Sequence, residues 1–339
     1  MELFSDSLKK DKKMNIGNTV YELTEEYRDD DKNVSYRRLK INVSAAKNGG
    51  TVRIAMISDP QFNSCDIQDL SDPELQYTFS KRTELAFGES AESVDNAMAF
   101  IKSLGNIDKT IVTGNLCDYL SHGAITLVKR HILSSDLNVT AVPGRTDFTK
   151  KTGTHTFDTT PLFERVNTLK AALGNDMFYR SEILGSVMII TMINATKVRP
   201  DKGADSDKEF SGHYLFSQKE ALIKDLDFAR KNKLYVLIFE SEPLFSTVCD
   251  INSASVSNNP EAKSNFNNLT GNRDSDTATD KAVYSIISNG ADVIKGVFCG
   301  ADNFCATKLN GDNGDILQIA TEPVVKHTPF GSLLIIEIG

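Results

Sequence analysis

Five short polar stretches each follow an apolar, β-branched run: SDPQFN (58–63), TGNLCDY (113–119), PGRTDF (143–148), FESEP (239–243) and CGADNF (299–304). They gather carboxylates (Asp59, Asp118, Asp147, Glu242, Asp302), amides (Gln61, Asn115, Asn303), hydroxyls (Thr146, Ser241) and one guanidinium, Arg145. Such groups can do three things. Oxygen donors coordinate hard cations, so Asp59, Glu242 and Asp302 would make a one-metal site if their side chains converge. Arginine binds phosphate without any ion, so Arg145 with Thr146, Asn115, Gln61 and Asn303 would make a metal-free phosphate pocket, opposed by Asp59 and Asp302. Aspartates at strand-to-helix junctions also simply cap turns, the first reading for Asp118 and Asp147 and an equal one for Asp59.

The runs that must position these groups are VRIAMIS (52–58), KTIVTG (109–114), NVTAVPG (138–144), LYVLIFE (234–240) and ADVIKGVFCG (291–300), together with SVMIITMIN (186–194). Amphipathic stretches such as AESVDNAMAFIKSL and SQKEALIKDLDFARKN separate them. Strand, helix, strand at this spacing predicts parallel sheet with crossover helices. In open α/β sheets ligands bind beyond the carboxyl ends of the strands, where the five polar stretches fall. The chain end, FCATKLN, GDILQIAT and GSLLIIEIG, has no helices between its strands and predicts an antiparallel finish. Residues 1–50 read as a mobile end with one or two added strands, and 51–339 as the main domain. A polar tract over 249–279 follows a strand end and reads as a cover over the carboxyl edge.

Taken in order, the five stretches resemble the five blocks of the calcineurin-like metallophosphoesterase family, D-x-H, G-D-x-x-D, G-N-H-D/E, a lone H, and G-H-x-H, over about residues 52–310. The resemblance implies a four-layer αββα sandwich of two mixed sheets. It also implies two metal ions that clamp a phosphate and activate water, and a histidine that protonates the leaving oxygen. Position by position, it puts metal ligands at Asp59, Gln61, Asn115, Arg145, Ser241, Ala301 and Asn303, and the catalytic acid at Thr146. Of the seven ligand positions only Asp59 keeps the family residue. An amide carries no net charge to neutralise a bridged pair of cations, so the resemblance implies a catalytically inactive homologue, a pseudoenzyme serving as a binding or scaffolding protein with no cofactor. Relief of carboxylate repulsion by Asn115 makes the changed set self-consistent without metal.

Two alternatives stand beside it. One is an active metal-dependent phosphoesterase acting on a phosphomonoester or phosphodiester with one or two divalent metals (Mn, Fe, Zn or Mg) on a non-standard ligand set. The other is an active parent disabled by near-isosteric changes, which Arg145 and Ala301 fit less well. A phosphate-containing ligand or a protein partner is the expected partner class.

Composition narrows the field. With 339 residues, 40% hydrophobic, 25% charged and a net charge of −8, the chain reads as an ordinary globular protein without a general grip on nucleic acid. No apolar run reaches the roughly 18 residues of a membrane span, and no signal-peptide core opens the chain, so the expectation is a cytoplasmic protein. Five cysteines with no CxxC pair predict reduced thiols. No phosphate-cradling G-x-x-x-x-G-K-[ST] loop, G-x-G-x-x-G turn or G-x-S-x-G elbow is present. Among the histidines, His155 sits on a loop that could face the cleft, His122 and His131 read as helix-surface or packing residues, and His213 and His327 carry no signal.

Overall fold

The computed structural model describes residues 12–43 apart from 25, 50–71, 76, 79, 90–148, 151–152, 156–157, 162–194, 213–244 and 277–339 apart from 328. The expected mobile end before residue 12, His155, and nearly all of the 249–279 tract lie outside the described residues.

The strands are β1 (Lys12–Ile16), β2 (Thr19–Leu23), β3 (Tyr27–Asp29), β4 (Val34–Val43), β5 (Val52–Ser58), β6 (Lys109–Gly114), β7 (Val139–Pro143), β8 (Lys151–Thr152) and β9 (Thr156–Phe157). They continue as β10 (Tyr179–Leu184), β11 (Val187–Met192), β12 (Tyr235–Glu240), β13 (Ile294–Gly300), β14 (Cys305–Leu309), β15 (Ile316–Thr321) and β16 (Gly331–Ile338). The helices are α1 (Ser90–Leu104), α2 (His122–Val128), α3 (Leu162–Leu173), α4 (Phe216–Asn232) and α5 (Ala278–Ser288). Two large sheets result. The first runs β1-β2-β4-β16-β5-β6-β7 with β3 on β4, and the second runs β10-β11-β12-β13-β15-β14. Both are mixed: β5, β6 and β7 are mutually parallel, as are β11, β12, β13 and β15, while β16 runs antiparallel to β5 and β10 antiparallel to β11.

Side-chain alternation in the second sheet sets the layering. Val187, Ile189, Leu237, Phe239, Phe298, Leu317 and Ile319 join one core with Ile54, Met56 and Ile111 of the first sheet. Their neighbours Met188, Ile190, Val236, Ile238 and Val297 point the other way, into a second core with Leu222, Leu226 and Ala229 of α4 and Val283 and Ile287 of α5. On the far side, α1 packs on β16 and β4. The order is therefore helix, sheet, sheet, helix, the four-layer αββα sandwich of two mixed sheets. Each fully buried aliphatic side chain adds about 1.5–3 kcal/mol over its exposed state, so the inter-sheet core holds the layers together.

Two expectations are corrected. Of the last three strands only β14 and β15 pair with each other, and they do so antiparallel. Strand β16 leaves that sheet for the centre of the first, between β4 and β5, because GSLLIIEI is apolar on both faces and needs cover on both. Cys305, at the start of β14, is disulfide-bonded, whereas Cys117 and Cys299 are free thiols; an odd count excludes a complete framework but not one pair. The amino-terminal segment contributes four strands, and its β4 lies inside the first sheet. Among the described residues no helix is long and apolar enough to cross a membrane.

Candidate functional site

Parallel pairing brings the carboxyl ends of β5, β6 and β7 to one edge of the first sheet, and those of β12 and β13 to one edge of the second. Stacked face to face, the two edges enclose a cavity of about 510 Å³ lined by Asp59, Gln61, Asn115, Arg145, Thr146, Ser241, Glu242, Ala301 and Asp302, with His213, Pro243, Gly300 and Pro323. All five polar stretches therefore reach one place. Asn303 is not among the lining residues; its Oδ1 accepts a hydrogen bond from Lys326 Nζ at 2.7 Å instead. Asp118 and Asp147 also lie off the cavity wall, buried behind it.

The first wall is built by extending strand pairing past the strand ends. Asp59 N–H donates to Thr113 O (2.8 Å), Gln61 N–H to Asn115 O (2.9 Å) and Phe62 N–H to Leu116 O (2.9 Å). Asp59 and Gln61 both take left-handed backbone, with φ of 47° and 49°. Such conformations cost of order 1–3 kcal/mol and persist where the surroundings impose them, as this ladder does. The Asp59 carboxylate is buried against Gly114, where a Cβ would come within 2.6 Å of its Oδ1, and against Gly300, where a Cβ would collide with its Oδ2. Glycine at both strand ends is what leaves room for the acid.

Asp59 Oδ1 accepts the Asn115 N–H at 3.0 Å. Burial pushes its carboxyl up to about 7; the Asn115 amide and Ser58 hydroxyl pull it down, and the neighbouring Glu242 and Asp302 carboxylates raise it further. Asn115 Oδ1 is engaged by the Thr146 N–H at 3.0 Å. The Thr146 hydroxyl donates to Cys117 O and that of Ser241 to Pro143 O. Arg145 Nη2 lies 2.9 Å from the Glu242 carboxylate. Asp147 accepts N–H groups from Leu116, Cys117 and Gly144 at 3.0, 2.6 and 2.7 Å, tying the loop after β6 to that after β7.

The second wall hangs on Asn194, which is fully buried. Its Nδ2 donates to Glu242 O at 2.6 Å and its Oδ1 accepts the Glu242 N–H at 2.8 Å, while its own carbonyl lies 3.1 Å from His213 Nδ1. Behind it Tyr214 Oη donates to Glu240 Oε1 at 2.8 Å, and burial pushes the Glu240 carboxyl up to about 8. Removing that donor with Tyr214→Phe should lower stability by about 1–2 kcal/mol in urea denaturation, the cost of one buried acceptor left unmade; an unchanged midpoint would show the network to be slack.

His213 is the lining residue that sequence reasoning passed over. Its signal was its place just ahead of α4, next to Tyr214 and Gln218, whose side chains anchor the helix start to Glu240, Phe178 and Ile193. His131 pairs with Asp95 at 2.7 Å, away from the cavity, consistent with a packing role.

The donor inventory tests the fit of a two-metal centre. Ala301 offers no donor, Arg145 brings a positive charge, and the Asn115 and Ser241 oxygens already have protein partners. Among the described residues no three His, Cys, Asp or Glu side chains are grouped to hold an ion. Asp59, Glu242 and Asp302 share the cavity wall without forming such a group, which corrects the convergence a one-metal site requires. These residues do not fit a metal pair.

No family model and no curated protein matches the chain. Solved structures similar to it include a dimetal phosphatase from Danio rerio, 12% identical over 82% of this chain and 89% of that one, with a TM-score of 0.48. Another is the Thermus thermophilus sulfate thiohydrolase SoxB in complex with glycerol, 10% identical over 80% of this chain and 52% of that one, with a TM-score of 0.36.

Proposed function

We propose that this chain is a catalytically inactive homologue of two-metal phosphoesterases that acts as a binding or scaffolding protein through the re-lined cavity. The observation that carries the reading is the Arg145–Glu242 ion pair across the cavity wall. Where the family resemblance calls for a neutral metal ligand, a guanidinium stands and takes a carboxylate for itself. A cation brought there would meet like charge, and Asn115 in the bridging place supplies no negative charge to offset it. Even partners that only orient metal ligands cost about 10–100-fold in affinity or activity when lost, so replacement of six of seven ligands removes the centre.

The protein incubated with manganese, zinc and iron and then desalted should retain well under one metal per chain, and should not hydrolyse p-nitrophenyl phosphate or bis-p-nitrophenyl phosphate. Two tightly held metals per chain, or metal-dependent turnover lost in Asp59→Ala, would overturn the proposal in favour of an enzyme with unfamiliar ligands.

A further inference from the structure

We infer that Arg165 forms a second binding site, outside the cavity, for a small oxyanion that presents two oxygens along one edge, a carboxylate or a phosphate group. Among the described residues the buried lysines and arginines are Lys109 and Arg165. Lys109 is paired: its Nζ lies 2.7 Å from Glu182 Oε1 and 3.0 Å from Asn138 Oδ1. Arg165, only 6% exposed, makes no ion pair among the described residues. Burying a charge is costly unless a counter-charge or hydrogen bonds compensate it. Arg165 has one such bond, from Nη1 to Phe148 O at 2.7 Å. Its Nε is shut away from solvent with no hydrogen-bond partner, while Nη2, on the same edge of the planar fork, is not so enclosed. Nε and Nη2 carry parallel N–H donors, the edge that grips two oxygens of a carboxylate or phosphate.

The surroundings carry the same sign. Arg165 lies in the first turn of α3, whose opening N–H groups have no partner within the helix and give that end a partial positive charge. A cation is disfavoured there and an anion favoured, so the guanidinium and the helix start call for the same ligand. Beside them Phe148 stacks on Phe178, and Lys170 Nζ stands 5.7 Å from the Phe178 ring centroid, making no ion pair of its own among the described residues. Of the acids next in sequence, Glu164 is exposed, and the Asp147 carboxylate is taken by three backbone amides.

The test is thermal melting and calorimetric titration of the whole chain with sodium phosphate and sodium acetate, each balanced against sodium chloride at fixed ionic strength. The wild type should bind at least one of the two oxyanions saturably, with a rise in Tm that chloride does not give. The tighter of the two identifies the group recognised. Arg165→Lys keeps the charge and a donor for Phe148 O but loses the fork, so it should weaken binding about tenfold or more with Tm in chloride unchanged. Arg165→Met should abolish binding, and Arg145→Met, in the cavity, should leave it intact. No saturable binding by the wild type, equal affinity in Arg165→Lys, or loss of binding in Arg145→Met alone overturns the inference, the last by placing the anion in the cavity.

Discussion

Asp147→Ala is expected to lower unfolding stability by about 4 kcal/mol, the largest effect of any single change at the site. Asp147 is fully buried, and its carboxylate accepts three backbone N–H groups, those of Leu116, Cys117 and Gly144. Alanine would leave all three donors without a partner in a place water does not reach. Each buried orphan costs about 1–3 kcal/mol, and partial relaxation of the loops keeps the sum near the lower end. The two loops it joins carry Asn115, Arg145 and Thr146, so the cavity wall should loosen with the fold. Burial pushes the Asp147 carboxyl up to about 7 while the three amides pull it down, so its ionised form carries a burial penalty that grows above the unfolded value near 4, and the loss of the three hydrogen bonds is read at pH 4, where that penalty is nearly absent. Asp147→Asn, which keeps one acceptor oxygen, should lose roughly half as much. Guanidinium denaturation measures both, and a loss under about 1 kcal/mol for alanine would mean that water replaces the carboxylate and that Asp147 does not frame the site.

The contrast between Asp147 and Asp59 shows where sequence reading reaches and where it stops. Both stand just after a β-branched run, and the strand-end rule places both near one edge of the sandwich. That edge was legible because parallel pairing follows from strand-helix-strand spacing alone, and local spacing is written in the chain. Their roles were not, since a role depends on partners brought close by folding. Arg145 meets Glu242 across 97 positions of sequence, and Tyr21 reaches from β2 to the carbonyl of Lys295 across 274. Asn303 follows the family order in sequence yet turns to Lys326, because a residue one position further along a loop can face either way. Strand β16 shows the same limit at the level of elements: its apolar pattern demanded cover on both faces without saying in which sheet. His213 had no motif around it and entered the cavity only through the helix start it precedes.

Asp59→Asn should raise stability at pH 8.5 by about 3 kcal/mol and change it little at pH 4. The sign follows from the proton balance. Burial first, and then the charges of Glu242 and Asp302, raise the folded carboxyl from 3.8 to about 7. The folded state therefore binds the proton more tightly than the unfolded chain. Its penalty is absent below the unfolded value near 4, grows as pH rises from there to about 7, and is complete above that. At about 1.4 kcal/mol for each pH unit between the two values, the full penalty is a little over 4 kcal/mol, and contact with cavity water trims it. Asparagine keeps an oxygen for the Asn115 N–H, fits between Gly114 and Gly300, and carries no charge to bury, so it removes the penalty without opening a hole. Its amide can also donate towards Glu242 or Asp302. A metal at this position would reverse the outcome: with manganese present, losing the carboxylate would then destabilise the protein most at high pH, where the ligand is ionised. Denaturation of wild type and Asp59→Asn at the two pH values, with and without manganese, thus reads the same side chain twice. A gain at pH 8.5 that manganese does not affect is what a buried acid without a cation requires, and a loss there would restore the metal to the site.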